Sequence, residues 1–154
     1  MTSRRDFLIA AGGLVGGLDL AFVAGPAYAT PAAMQDAIQK IVGGAPVRRG
    51  RVKLDVPPLI DNGNSVPITV TVDSPMTAAE HVRAIHIFTE KNPQPNILSA
   101  YLGPRSGRAA LTTRARIADT GRVIAIAQLS DGTFWQDTVP VVVTLSACLE
   151  DGLI

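Results

Sequence analysis

The sequence predicts an all-β chain, an immunoglobulin-like antiparallel β-sandwich with a short N-terminal helix after a cleaved signal peptide. Three observations lead there. From Arg51 onward apolar residues recur with a period of two, turn residues interrupt the chain every ~8 to 12 residues, and a single segment just past residue 30 carries helical spacing. The 154 residues suit one domain with a proper hydrophobic core. About seven short strands in that length match a two-sheet sandwich.

Residues 1–29 have the three-part plan of an export signal: a basic start, an apolar Gly-rich middle and small residues at Ala27-Tyr28-Ala29. Ser3-Arg4-Arg5-Asp6-Phe7-Leu8 resembles the twin-arginine signal, and Gly12, Gly13, Gly16, Gly17 and Asp19 dilute the apolar run as that route requires. Asp19 inside the run and Pro26 at its close weigh against a retained membrane helix. Cleavage after Ala29 is expected, with delivery to the periplasm. The formal net charge is +1. Removing Arg4, Arg5, Asp6 and Asp19 takes two charges of each sign and leaves it at +1. Such a balance offers no field for a polyanion, and one tryptophan, two tyrosines and four phenylalanines make no stacking surface, so nucleic acid is not an expected partner.

The expected elements follow in order. Thr30-Pro31 reads as an N-cap with proline at the first helical position, Met34, Ala37, Ile38 and Ile41 share one face, and Gly43-Gly44 stops the helix. Val52, Leu54 and Val56 alternate with Lys53 and Asp55 in a first strand. Past Pro57-Pro58 and Asp61-Asn62-Gly63-Asn64, Val66, Ile68, Val70 and Val72 form a second. A third runs over 82–90, with Ile85, Ile87 and Thr89 on one face and Ala84, His86 and Phe88 on the other. Asn92-Pro93-Gln94-Pro95 turns the chain into a fourth strand at 97–102, and Gly103-Pro104-Arg105-Ser106-Gly107 into a fifth at 109–118. Leu111, Thr113, Ala115 and Ile117 there oppose a wet, basic face of Thr112, Arg114 and Arg116. After an apolar run at 123–129, Asp131-Gly132 signals a tight hairpin into Phe134-Trp135. The last strand is expected at 139–145, with Pro140 marking an edge or a bulge. The chain divides into a twin-arginine signal peptide at 1–29, a sandwich domain with its helix at 30–145, and a tail at 146–154.

The tail holds the single cysteine, Cys148, just past the last strand-like run. In an oxidising compartment a lone thiol without an intramolecular partner points to intermolecular pairing or to a working nucleophile. A buried, inert cysteine is the alternative. His81 and His86 are five residues apart and lack the further ligands of a tetrahedral metal site. Asp61, Asp73, Glu80, Glu90, Asp119 and Asp131 sit mostly in turns, where capping and solvation explain them better than paired-acid catalysis. Arg114 and Arg116 fit a solvated face better than the reader of an acidic patch. No phosphate loop, flavin motif or other cofactor motif occurs, and no cofactor is expected.

Val70-Thr71-Val72-Asp73-Ser74-Pro75-Met76-Thr77, then Ala84-Ile85-His86-Ile87-Phe88 followed by Asn92-Pro93, then Ala127-Gln128-Leu129-Ser130-Asp131-Gly132-Thr133-Phe134-Trp135 resemble the SoxY sulfur carrier of periplasmic thiosulfate oxidation. Val52-Lys53-Leu54, Asn62-Gly63-Asn64 and the twin-arginine signal extend the likeness over essentially the whole mature chain. The resemblance implies a non-catalytic carrier, paired with a SoxZ-type subunit, whose C-terminal cysteine holds the sulfur substrate covalently. It implies transient contacts with a c-type haem protein that loads the thiol, a hydrolase that releases sulfate, and a sulfur dehydrogenase. Cys148 is then the attachment point. The family tail reads Gly-Gly-Cys-Gly-Gly, whereas Cys148 stands between Ser146-Ala147 and Leu149-Glu150. Leu149 adds bulk to the arm, and Glu150 with Asp151 should raise the thiol pKa by like-charge repulsion. That departure leaves a second expectation open: a SoxY-like interaction module or paralogue that binds a SoxZ-type subunit without carrying sulfur.

Overall fold

The computed structural model describes residues 30–144; the expected signal segment and the expected tail lie outside the described residues. The helix α1 (Pro31–Val42) starts as its sequence dictates. Thr30 Oγ1 accepts the Ala33 N–H at 3.1 Å, Pro31 needs no partner for its missing N–H, and Gly43 closes the helix in the left-handed region at φ 60°. Met34, Ile38 and Val42 form its buried stripe.

Nine strands follow among the described residues: β1 (Val47–Arg49), β2 (Val52–Asp55), β3 (Leu59–Ile60), β4 (Val66–Val72), β5 (Val82–Thr89), β6 (Asn96–Tyr101), β7 (Ala110–Ala115), β8 (Gly121–Leu129) and β9 (Phe134–Val143). They form a large sheet in the order β1-β9-β8-β5-β6, with β3 also on β9, and a small sheet β2-β4-β7. The all-β sandwich is as the alternation predicts. Its main core lies between the sheets, where Ile68 and Val70 of β4 face Ile85 and Ile87 of β5 and Val123, Ala125 and Ala127 of β8.

The central strands of the large sheet, β5 and β8, are buried on both faces. Met34, Ile38 and Val42 of α1 cover Phe88, Ile124, Ile126 and Phe134 on its outer side and make a second apolar cluster. This is why β5 and β8 read as almost continuous apolar runs while β4, wet on one side, alternates. The two faces expected for β5 are as predicted: Ile85 and Ile87 point into the sandwich and Phe88 toward the helix. His86 shares Phe88's outward phase and is also buried, with Nδ1 2.7 Å from Ser99 Oγ on β6 and the Tyr101 ring edge-on. Burial holds its pKa below the ordinary histidine value of 6.5.

Two features differ from the sequence reading. The expected short segment at Phe134-Trp135 and the last strand at 139–145 are one strand, because Gln136, Asp137 and Thr138 continue the antiparallel ladder with β8. The short strands β1 and β3 were not anticipated; both pair with β9 in parallel, Val47 with Phe134 and Leu59 with Val142. Pro140 falls between these two partners. Val142 N–H points to the β3 side, donating to Pro58 O at 2.8 Å, so the imide nitrogen of Pro140 two residues back faces the unpaired gap and costs the sheet no bond. The edge expected at Pro140 is local to that gap. Asp137 ties the layers together: its Oδ2 accepts the Leu54 N–H of β2 at 2.9 Å across the seam.

One buried side-chain polar atom has no hydrogen-bond partner among the described residues: Thr89 Oγ1, at the end of β5. Replacing that hydroxyl by a methyl group removes a desolvated polar atom at constant shape. Urea denaturation of Thr89→Val should therefore give a gain of about 1 kcal/mol, against a loss of about 2–5 kcal/mol for Ile87→Ala in the adjacent core. For His86 the folded pKa is depressed, so the unfolded chain binds more protons below about pH 6.5 and stability falls as pH drops through that value. Denaturation midpoints compared on both sides of pH 6.5 should show this loss, and His86→Gln should flatten it.

Candidate functional site

The candidate centre is the end of β9, from which the chain continues to Cys148. Four backbone and hydroxyl contacts fix this end. On one side Val142 N–H donates to Pro58 O at 2.8 Å and Thr144 N–H to Ile60 O at 2.9 Å. The Thr144 hydroxyl reaches Asp61 O at 3.1 Å. On the other side Val143 N–H donates to Thr120 Oγ1 at 3.0 Å. Alternation turns Val141 and Val143 into the main core, so the strand cannot slide by one residue without exposing them. Cys148 lies four residues beyond Thr144, outside the described residues. Covalent geometry alone keeps its Cα within roughly 14 Å of that of Thr144.

The surrounding loops interlock. Ile117 N–H donates to Gly63 O at 2.8 Å, and Asn92 bridges backbone on both sides of it, accepting from Ala118 N–H at 2.9 Å and donating to Arg116 O at 2.8 Å. Glu90 and Arg122 pair at 3.0 Å, and Glu90 also accepts the Arg122 backbone N–H. The Arg122 side chain beside it holds the Glu90 carboxyl below the usual carboxylate range. Gly121 packs closely here: a Cβ would come within 3.1 Å of Lys91 Cγ and 3.4 Å of Glu90 Cβ, so a side chain there would make Lys91 shift.

The other residues singled out from the sequence are scattered. His81 precedes β5, its Nδ1 3.1 Å from Thr77 O, while His86 is enclosed on the outer face. Among the described residues no group of three or more His, Cys, Asp or Glu side chains could hold a metal ion. Glu80 pairs with Arg51, whose Nε also donates to Asp73 O at 2.9 Å. Asp131 caps the β8–β9 turn, accepting from Thr133 N–H at 2.9 Å and Thr133 Oγ1 at 2.7 Å, and those bonds hold its pKa low. Arg114 lies on the exposed face of β7, with Nη1 3.4 Å from Ser65 O, and Arg116 lies past the strand's end. Glu80, Asp131, His81 and His86 are thus each engaged in a local contact of their own.

Sequence reasoning missed the anchors Pro58, Ile60, Thr120 and Thr144. Leu59-Ile60 is too short a run to show a period, and Thr120 reads as an ordinary turn residue in Asp119-Thr120-Gly121. Trp135 gains a role that its sequence position hid. Its ring faces the guanidinium groups of Arg48 and Arg51, 5.8 and 5.9 Å from the centroid, closing the far end of the sandwich.

Known folds and families can now be set beside this geometry. Among solved structures the chain is similar to a superoxide reductase (neelaredoxin) from Ignicoccus hospitalis, at 17% identity and TM-score 0.55 over 61% of this chain and 80% of that one. A putative superoxide reductase from Thermotoga maritima matches at 19% identity and TM-score 0.54, over 63% of this chain and 93% of that one. The superoxide reductase from Nanoarchaeum equitans matches at 13% identity and TM-score 0.52, over 62% of this chain and all of that one. At these identities the likeness is one of fold. No curated protein sequence matches. The family described as sulfur oxidation protein SoxY matches residues 38–148, from within α1 to the cysteine itself. With a match of that length over helix, both sheets and the approach to Cys148, the chain belongs to the SoxY family of sulfur oxidation proteins.

Proposed function

We propose that this SoxY-family chain is a sulfur carrier, exported to the periplasm, that holds thiosulfate-derived sulfur covalently on Cys148 and is itself no catalyst. One observation carries the reading: the family match runs through to the chain's single cysteine, five residues past the end of a strand that is pinned on both sides. A short tether on a rigid body gives partner enzymes a thiol at a defined distance from a fixed surface.

The chemistry suits a thiol. Loading joins the Cys148 thiolate to the outer sulfur of thiosulfate with release of two electrons, forming Cys–S–S–SO3⁻; a c-type haem partner accepts the electrons. Hydrolysis of the sulfur–sulfonate bond consumes one water, releases sulfate and two protons, and leaves a persulfide for a sulfur dehydrogenase. Each step needs an enzyme that supplies the oxidant or the activated water, and transfer of the persulfide's outer sulfur to a second thiol, which becomes the new persulfide, returns the free Cys148 thiol. A SoxZ-type subunit is the proposed companion. Residues 1–29 would be lost on export by the twin-arginine route.

The flanks of Cys148 favour one other reading. Leu149 and Glu150 stand where family carriers have glycines, which suits a module that binds a SoxZ-type subunit without carrying sulfur. Thiosulfate-dependent oxygen uptake by cells separates the two. Cys148→Ala should abolish it while leaving chain level and fold unchanged; uptake at the wild-type rate would reject the carrier and leave the binding module.

A further inference from the structure

β6 and β7 are the terminal strands of their two sheets. Between them lies an open groove of about 460 Å3, lined by Asn96, Ile97 and Leu98 on the β6 side and by Arg114, Ala115 and Arg116 on the β7 side. Ile97, Leu98, Leu111 and Ala115 are half-buried and pack on the main core, so the open seam has an apolar floor.

The edges of these sheets differ in what they offer. β6 carries a register shift opposite Ile87 and Phe88, a device that blunts an edge. On β2, the far edge of the small sheet, Asp137 takes the Leu54 N–H. β7 keeps unbroken antiparallel register with β4 from Ala110 to Ala115. Just before it Val72 N–H donates to Ala109 O, and just after it Ile117 N–H donates to Gly63 O. The alternation of an antiparallel ladder then turns the N–H and C=O groups of Ala110, Thr112 and Arg114 away from β4. Those three residues are exposed, and no strand pairs with this edge among the described residues.

Charge says what kind of strand fits. From Lys91 to Ala118 the chain has five basic residues and no acidic one, a net +5 in a chain whose total is +1. Arg105, Arg108, Arg114 and Arg116 are exposed and make no ion pair among the described residues; Arg114 reaches Ser65 O and Oγ only at 3.4 Å. The flanking acids are engaged elsewhere, Glu90 by Arg122 and Asp119 by the Thr120 N–H at 2.7 Å. A second copy of β7 would set like charges against each other, whereas an acidic strand is attracted. Sequence alone gave Arg114 and Arg116 a solvated face; the fold places them on an unpaired edge above an apolar seam.

We infer that β7 is a docking edge for an extended, acidic segment of a partner protein, which adds a strand to the small sheet. Its apolar side chains alternate inward onto Ile97, Leu98 and Leu111, and its carboxylates lie outward beside Arg114 and Arg116. The edge belongs to the sandwich and stands whether or not Cys148 carries sulfur.

The probe is the end-blocked peptide Val-Glu-Val-Glu-Val-Glu-Val, titrated to millimolar concentration into the full, isotope-labelled chain and followed by amide NMR shifts. The expected result is saturable shifts centred on Ala110, Thr112 and Arg114, and none with lysine in place of glutamate. Arg114→Glu with Arg116→Glu should raise the dissociation constant about tenfold, and Thr112→Pro, which removes an outward N–H, at least as much. No binding, equal binding of the lysine peptide, or shifts centred on β2 or β6 overturns the proposal. So does binding of vesicles with anionic headgroups through the same arginines without the peptide, which assigns them to a membrane surface. Hydrogen exchange in the chain alone should find the three amides unprotected. Protection that grows with concentration assigns the edge to a second copy, and protection at every concentration assigns it to another segment of this chain; either rejects the partner strand.

Discussion

The fixed end of β9 is the constraint on which the rest depends, and burial holds it more firmly than hydrogen bonding. Val141 and Val143 are almost fully enclosed in the main core, each worth about 1.5–3 kcal/mol, while the bonds to Pro58, Ile60 and Thr120 contribute about 0.5–1.5 kcal/mol each. The hydrogen bonds do something burial cannot. They fix which residue leaves the sheet, and so set the length of chain between the rigid body and Cys148. A one-residue slip would change that length and turn Val141 and Val143 to solvent at once.

The same strand organises the layers. β9 pairs with β8 along its length, takes β1 and β3 in parallel on its other edge, and reaches the small sheet through Asp137 and the Leu54 N–H. Its outward residues are covered by α1 at one end, and at the other they have no covering element among the described residues. Several of the chain's carboxylates and both histidines make local contacts: His86 with Ser99, His81 with Thr77, Asp131 in the β8–β9 turn and Glu80 with Arg51.

Much of this was legible in the residues. Thr30-Pro31 and Gly43-Gly44 bound the helix, the alternation of Val66, Ile68, Val70 and Val72 marked a half-wet strand, and Asp131-Gly132 made the hairpin it signalled. What stayed hidden was long-range. Leu59-Ile60 pairs with residues more than eighty positions away, and nothing in a two-residue run announces a parallel partner. Pro140 suggested an interruption in β9 because a missing N–H is harmless only where a neighbouring strand is absent, and that gap is a property of the sheet. Of the candidate site, the residue type and its position were readable; the clamp made by Pro58, Ile60, Thr120 and Thr144 was not, since each of those residues is unremarkable alone.

The central claim is that sulfur travels on Cys148. Intact-mass and peptide-mapping spectrometry of the protein taken from thiosulfate-grown cells, with and without a reductant, tests it most directly. The account predicts a sulfur-bearing adduct, removed by the reductant and mapping to Cys148. A thiol that stays unmodified under conditions in which the cells are oxidising thiosulfate would contradict it.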